Sequence, residues 1–364
     1  MGTSILQNRY RMSPHRLSGE ASVSVVIPCY NYARFLRYSV SSVLAQTDVR
    51  VDVLIVDDSS TDGSAEVAQA LAAGDSRVRA VCHDTNAGHI KTYNEGLSRV
   101  DGDYVVLLSA DDLLSPGSLS RSVALLEAVP SVGFVYGFSP EFRDQPPKAR
   151  TKPSSWSVWR GHAWVEECCR RGKTFVFTPE VVMRREVMQE LHGYKAGLPH
   201  SADMELWMRA ATRSDVGRVN GVDQAFYRVH GRNMHLTDFA GTLTDIRERL
   251  RTFDVFFSSD EARALSNLEE LGYQSRRAIG QEALAIALRL VDLADTRGEN
   301  PADYAVLAAA TWPAIRQTRQ WKTFARRSEG SSIGGTRYIA RRLRQVRRDV
   351  AGRISWRRWR HVGI

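Results

Sequence analysis

The chain has 364 residues, of which 43% are hydrophobic and 25% charged, with 26 Gly and 12 Pro. This composition is typical of a folded globular protein and excludes collagen-like, disordered and coiled-coil classes. The longest apolar runs, such as 104–108, are far shorter than the roughly 20 residues of a membrane-spanning helix. Residues 1–20 lack the apolar stretch of a secretory signal, so we expect a flexible N-terminal segment there and a cytoplasmic protein.

Positive charge is concentrated at the C-terminus. Lys and Arg number 50 against 41 Asp and Glu, a net charge of +9. Residues 334–364 hold ten Arg, no Lys and one acidic residue, so the rest of the chain is balanced. That balance argues against a nucleic-acid-binding surface across the protein and favours a local anionic partner for the tail. The four cysteines form no CxxC or Cys/His cluster, so neither a zinc site nor a disulfide framework is expected.

Short apolar runs alternate with amphipathic segments from Val23 to about Gly137. This alternation predicts an α/β fold with a mostly parallel sheet covered by helices on both faces. From about Gly241 to Arg327 the pattern is helical, and a Gly/Ser break precedes the arginine-rich tail. The predicted strands are 23–28, 51–58, 78–83, 104–112 and 132–137; the predicted helices between them are 33–46, one ending near Gly74, 89–100 and 116–129.

Two acidic pairs, Asp57-Asp58 and Asp111-Asp112, end two of these strands. Ligands of such sheets bind at the carboxyl ends of the strands, and clustered carboxylates there require a cation or hydrogen-bond donors. Oxygen ligands suit Mg²⁺ or Mn²⁺, which typically bridge phosphates, so a nucleotide-diphosphate substrate follows as a hypothesis. In the alternative, one Asp of each pair caps the next helix or turn. The chain lacks GxGxxG after the first strand, GxxxxGK[ST] and GxSxG, which removes the motif support for dinucleotide oxidoreductases and P-loop NTPases.

Four segments of the chain form one ordered set: SVSVVIPCYNYARFLRYSVSSVLAQ, VLIVDDSSTDGS, NAGHIKTYNEGL and GDYVVLLSADDLLSPGSL. In this order and spacing they resemble the signature of glycosyltransferase family 2. The resemblance covers roughly residues 21–235 and implies a GT-A fold: a nucleotide-sugar-binding domain that uses a divalent metal, Mg²⁺ or Mn²⁺, and inverts the anomeric centre.

The resemblance also implies roles for residues of the donor site. Pro28, Tyr30 and Asn31 would hold the base and ribose, and Asp58 would accept a hydrogen bond from the N3–H of a uracil-like base. This chain departs from the family at Tyr93-Asn94, where many members have an Arg beside the Asn; the nearby Lys91 could supply the positive charge toward the pyrophosphate, and a solvated helix lysine is the alternative interpretation.

Asp111 and Asp112 fall in the family's DxD region, one contacting ribose or phosphate and one binding the metal. Because Ser109 stands where the family often has an acid, the resemblance leaves open which of the two is the principal ligand. His230 is implied as a further metal or phosphate ligand, and Arg228 or Arg232 could meet the diphosphate.

The segment HSADMELWMR resembles the acceptor-side motif, in which an Asp acts as general base. By position this is Asp203, and Glu205 is the alternative. The two side chains would sit about 200° apart on a helix, so both cannot face one hydroxyl equally.

In the tail, apolar residues at 339, 343, 346, 350 and 354 form one helix stripe among arginines. This pattern is typical of an interfacial anchor on anionic lipid. Docking on the protein's own body is the alternative, and nucleic-acid binding comes third.

The sequence thus predicts a flexible segment at 1–20, a GT-A domain at 21–235, a helical region at 236–327 and a linker with an amphipathic tail at 328–364. The expected activity is transfer of a sugar from a UDP- or dTDP-sugar to a hydroxyl of a glycan or lipid-linked acceptor. Its setting would be the synthesis of a bacterial surface polysaccharide or glycolipid, with the protein peripheral on the inner face of the cell membrane. The rival is a non-catalytic nucleotide-sugar- or membrane-binding protein on a decayed transferase fold.

Overall fold

The computed structural model describes residues 8–174, 176–231, 233, 241–293, 298–328, 350, 352–354 and 357. Most of the predicted linker and arginine-rich tail, 328–364, therefore lies outside the described residues, as does Arg232. Among the residues described, no helix is long and apolar enough to cross a membrane.

A nine-stranded mixed sheet forms the centre of the described fold. The pairings give seven strands one direction, and β9 and β10 run opposite to them. In spatial order the strands are β1 (Arg9–Met12), β9 (Ser155–Trp159), β11 (Asp215–Asn220), β7 (Val132–Tyr136), β10 (Val182–Arg184), β5 (Tyr104–Leu107), β2 (Ser22–Cys29), β3 (Arg50–Asp57) and β4 (Val78–Cys82). A second sheet has the order β6 (Leu113–Leu114), β12 (Ala225–Arg228) and β8 (Glu141–Phe142).

Helices cover both faces of the sheet, as the apolar strands predict. Successive residues of a strand point to opposite faces, and Val25 of β2 packs in one core with Leu36 while Val26 packs in the other with Leu97. Gly96 lets its helix lie directly on β2, since a Cβ there would come 2.4 Å from Val26 Cγ1. The helices are α1 (Ala33–Leu44), α2 (Ser64–Gly74), α3 (His89–Ser98), α4 (Ser118–Ala128), α5 (Gly161–Arg171), α6 (Arg185–Glu190), α7 (Ala202–Arg213), α8 (Thr242–Phe257), α9 (Leu268–Leu293), α10 (Pro301–Thr311) and α11 (Arg319–Ser328).

Within the segment 1–20, for which the sequence predicts flexibility, the structure places one regular element at Arg9–Met12. These residues form β1, which pairs antiparallel with β9 at the edge of the main sheet. Strand β9 lies about 150 residues further along the chain, so no local sequence pattern predicts that the two strands pair. The sheet thus includes residues before position 21.

The C-terminal helical region, α8 to α11, packs on the sheet domain. Ile279 and Ala283 of α9 belong to the same buried cluster as Cys168 and Trp207 of helices α5 and α7. The helical region therefore packs against the part of the domain that includes α7, the helix that carries Asp203.

The four cysteines are free, three of them buried, as the absence of a cysteine motif predicts.

Candidate active site

A cavity of about 760 Å³ opens at the carboxyl ends of β2, β3 and β5. Six of the residues proposed from the sequence line it together: Pro28, Tyr30, Asn31, Asp58, Asp111 and Asp112. The strand ends meet there because β2 pairs in parallel with both β3 and β5. Tyr93, which follows Gly88 and His89 on the third motif, lines the same space.

The turn after β2 is held by the turn after β3. Asn31 has a φ of +60°, a left-handed conformation that Asn tolerates better than most residues. Its side-chain Oδ1 accepts the backbone N–H of Thr61 at 2.8 Å, and its own N–H donates to Ser60 Oγ at 2.9 Å. The Asn31 side chain therefore shapes the wall of the cavity, while Tyr30 is about half exposed at its rim.

The two members of the first acidic pair have different environments. Asp57 accepts both the N–H and the hydroxyl of Ser60, at 3.0 and 2.6 Å, and so closes the turn. Asp58 lines the cavity, and its Oδ1 and Oδ2 accept the N–H groups of Ala87 and Gly88 at 2.7 and 3.0 Å. The alternative anticipated for these pairs, a capping role for one Asp, thus describes Asp57.

His83 completes the surroundings of Asp58. Its Nδ1 lies 2.9 Å from Asp58 Oδ1 and its Nε2 lies 3.0 Å from Glu95 Oε2. Burial opposes ionisation of Asp58, but the donors from Ala87, His83 and Gly88 outweigh it and lower the pKa of the carboxyl. Our sequence reasoning missed His83; its position directly after β4, at the same sheet edge, was the available signal.

Asp111 and Asp112 lie buried on the opposite side of the cavity floor. Asp112 Oδ1 accepts the backbone N–H of Arg228 at 2.8 Å. Asp112 Oδ2 is buried and has no hydrogen-bond partner within the described part of the chain. Burial and the neighbouring Asp111 charge raise the pKa of Asp112 well above its usual range. This carboxylate is costly to maintain unless a cation faces it.

The segment after β12 organises this acidic pair. Arg228 Nε donates to the carbonyl of Asp111 at 2.8 Å, and its guanidinium lies over the rings of Phe35 and Phe142. His230 Nε2 lies 2.9 Å from Asp111 Oδ2. The contacts of Arg228 are thus with the backbone and rings around the acidic pair, and they hold the pair in place. His230 contacts the pair through Asp111.

These residues fit a divalent metal held jointly with a substrate. Across the described ranges, no three His, Cys, Asp or Glu side chains are arranged to hold a metal ion by themselves. Mg²⁺, however, is usually held by one or two carboxylates together with substrate phosphates and water. The unpartnered Oδ2 of Asp112 is the observation that matches this arrangement.

Asp203 lies half-buried in the first turn of α7 and is not itself among the residues that line the cavity. Its Oδ1 accepts the N–H of Met204 at 2.7 Å and its Oδ2 accepts the hydroxyl of Thr178 at 3.3 Å. Burial raises the pKa of Asp203, and these two hydrogen bonds oppose the rise. Burial raises the pKa of Tyr93, and the nearby charges of Asp111 and Asp203 raise it further, so this cavity residue lies close to both the acidic pair and Asp203.

Glu205 is a correction to the sequence prediction. Its side chain is fully buried, and its Oε1 accepts Arg209 Nε at 2.6 Å. Arg209 also donates to the carbonyls of Leu191 and Gly193. The arrangement is a core ion pair away from the cavity, because α7 turns Glu205 toward the protein interior. The structure therefore gives Glu205 no access to an acceptor hydroxyl.

Lys91 is likewise not brought into the cavity. It is exposed on α3 and is absent from the cavity lining, which matches the alternative interpretation of a solvated lysine. Trp207 packs in the core against Phe134. Trp156, Trp159 and Trp164 are buried as well, and none of the three lines the cavity.

The comparison with protein families identifies the domain around this cavity. Residues 24–191 match the family described as Glycosyl transferase family 2. An uncharacterised glycosyltransferase of Nostoc sp. is 27% identical over 235 residues, which cover 60% of this chain and 68% of the relative. The chain therefore carries a glycosyl transferase family 2 domain, and the protein is a glycosyltransferase.

Solved structures show that the fold is of the GT-A kind. TarS of S. aureus, residues 1–349 in complex with UDP-GlcNAc, has a TM-score of 0.52 at 16% identity, covering 81% of this chain and 92% of that one. The mannosyltransferase PcManGT of Pyrobaculum calidifontis, in complex with GDP-Man and Mn²⁺, has a TM-score of 0.53 at 18% identity, covering 90% and 88%.

Proposed function

We propose that this protein is a metal-dependent, inverting glycosyltransferase that moves a sugar from a UDP- or dTDP-sugar to a hydroxyl of a glycan or lipid-linked acceptor. The observation that carries the proposal is the buried Oδ2 of Asp112, unpartnered among the described residues and beside Asp111 in the cavity. A buried carboxylate of this kind is stabilised by a facing cation, which a donor diphosphate with Mg²⁺ or Mn²⁺ would supply.

The donor would lie across the cavity with its base beside Asp58 and its phosphates toward Asp111 and Asp112. Tyr30 and Asn31 line the side on which base and ribose would rest. Asp112 would hold the metal, with Asp111 beside it and His230 bonded to Asp111. The metal, when bound, supplies positive charge that stabilises the departing nucleotide diphosphate. Of the bound relatives, TarS carries UDP-GlcNAc and PcManGT carries GDP-Man with Mn²⁺.

Asp203 would serve as the general base. An acceptor hydroxyl loses its proton as its oxygen attacks the anomeric carbon, and a carboxylate within hydrogen-bond reach can take that proton. The raised pKa of Asp203 suits this role, since a base is most effective when its pKa approaches the working pH. Attack from the side opposite the leaving diphosphate would invert the anomeric centre.

The setting we propose is the synthesis of a bacterial surface polysaccharide or glycolipid at the inner face of the cell membrane. The arginine-rich tail at 336–364 would attach the protein to anionic lipid. Helix α11, which precedes the tail, supports membrane attachment: Phe324 is buried, whereas Arg319, Lys322 and Arg326 are exposed along one face.

Deletion of residues 336–364 tests the anchor. It should weaken binding to phosphatidylserine-containing vesicles at low salt and leave the domain folded. Equal vesicle binding by the full chain and the truncated chain would contradict the anchor.

The donor site is tested by calorimetric titration of the full chain with UDP, dTDP and GDP, each with Mn²⁺ and with chelator. We expect metal-dependent binding of at least one diphosphate, followed by transfer when the corresponding sugar donors are supplied with glycan acceptors. Absence of binding by all three would favour a non-catalytic protein on a decayed transferase fold.

A further inference from the structure

The carboxylate of Asp58 has little capacity left for a ligand. Each carboxylate oxygen offers two lone pairs. Oδ1 is approached by His83 Nδ1 at 2.9 Å and the Ala87 N–H at 2.7 Å, which fills it. Oδ2 accepts the Gly88 N–H at 3.0 Å, so within the described chain it retains one lone pair. Asp58 can therefore accept a single additional donor from a molecule in the cavity.

Nucleobases differ in what they present to such a carboxylate. Uracil and thymine offer one imide N–H. Guanine offers two adjacent donors, N1–H and the N2 amino group, and these pair with a carboxylate most favourably when each meets a different oxygen. Against Asp58, one of the guanine donors would find Oδ1 already filled. A donor buried without a partner is expensive, so the mismatch discriminates between bases.

We propose that His83 is a specificity-determining residue: by occupying Oδ1 of Asp58 it restricts the base site to nucleobases with a single imide N–H, uracil or thymine, and excludes guanine. The inference rests on the proposed function, because it requires a nucleoside diphosphate in this cavity. His83 would thus determine which nucleobase the sugar donor carries.

Glu95 is the positioning residue of this arrangement. Its Oε2 lies 3.0 Å from His83 Nε2, and its other oxygen pairs at 2.8 Å with Arg99, the residue that follows the helix. His83 is thereby held between the end of β3 and helix α3, with only 12% of its side chain exposed. A ring fixed at both nitrogens cannot readily turn aside to release Oδ1 to a competing donor.

Cytosine and adenine are disfavoured by the charge of Asp58. Both present a ring nitrogen lone pair where uracil has its N–H, and an ionised carboxylate repels that lone pair. The hydrogen bonds that lower the pKa of Asp58 keep it ionised. The same carboxylate thus selects an N–H donor, and His83 limits the number of donors to one.

The test compares UDP and GDP on the full-length protein by calorimetry with Mn²⁺. In the wild type we expect UDP to bind about tenfold more tightly than GDP, or better. His83→Ala should reduce this ratio by about fivefold or more, mainly through tighter GDP binding, because a guanine donor can displace the water that replaces the ring. A general loss of structure would weaken both ligands and leave the ratio unchanged.

Two further variants keep the test decisive if His83→Ala folds poorly. Glu95→Ala should lower the UDP-to-GDP ratio in the same direction by a smaller factor. His162→Ala, an exposed histidine on α5, should leave the ratio unchanged. Equal affinity for UDP and GDP in the wild type, or an unchanged ratio in both the His83 and Glu95 variants, would overturn the inference alone. Failure of the wild type to bind any nucleoside diphosphate would overturn the proposed function and the inference with it.

Discussion

Asp203 and Glu205 are two residues apart on one helix and have opposite environments. Asp203 is half-buried and accepts a hydrogen bond from Thr178, whereas Glu205 is fully buried in the core and paired with Arg209. The rotation of about 200° between positions i and i+2 of an α-helix produces this separation. Of the two residues that the sequence offers as the general base, Asp203 is the one whose side chain stays outside the core.

Replacement of Asp203 by Asn should abolish transfer while donor binding persists. We expect kcat to fall by about 10² to 10⁴, the usual contribution of a general base, with the dissociation constant for UDP and Mn²⁺ nearly unchanged. Steady-state kinetics and calorimetry on the same preparation measure the two effects. A comparable loss of donor affinity would argue against the base role.

Glu205→Gln should impair stability instead of chemistry. It leaves the buried guanidinium of Arg209 without a counter-charge, which typically costs about 3–5 kcal/mol of unfolding free energy. Denaturant unfolding measures this loss, and activity per folded molecule should stay near that of the wild type. A large drop in kcat with little loss of stability would restore Glu205 as a candidate base.

The pH dependence of transfer should follow the raised pKa of Asp203. The base is active when ionised, so kcat/KM is lost as the pH falls through this pKa, and the acid limb should lie above the ordinary value of 3.8. Thr178→Val removes a hydrogen bond that lowers the pKa, so the limb should move to higher pH. Thr178→Ser keeps the hydroxyl and should leave it in place; a limb that moves equally in both variants would contradict the assignment.

Asp112→Asn should remove the metal dependence of donor binding. Asn retains an oxygen to accept the Arg228 N–H and loses the charge that would hold the cation. Thermal-shift measurements with UDP should show stabilisation by Mn²⁺ in the wild type and none in the variant, with the unliganded protein equally or more stable. Asp260→Asn, at an exposed carboxylate, is the matched control. Undiminished Mn²⁺-dependent stabilisation in Asp112→Asn would contradict the metal assignment.

The sequence by itself determined the strand–helix alternation from Val23 to Gly137 and the family resemblance. It also determined that Asp58, Asp111 and Asp112 meet at one edge, because the carboxyl ends of parallel strands converge whatever their side chains. It did not separate Asp57 from Asp58, or Asp203 from Glu205, because residues so close in sequence share the same local pattern.

Only the tertiary structure decided those pairs, through contacts between segments distant in the chain. The carboxylate of Asp57 accepts hydrogen bonds within its turn, and that of Glu205 is paired with Arg209. Asp58, at the end of β3, contacts His83, which follows the neighbouring strand β4. Strand β1 pairs with β9 in the same way, through backbone hydrogen bonds that depend little on side-chain identity. Hydrogen bonds and burial of this kind depend on which segments the fold brings together, and that information is spread over the whole chain.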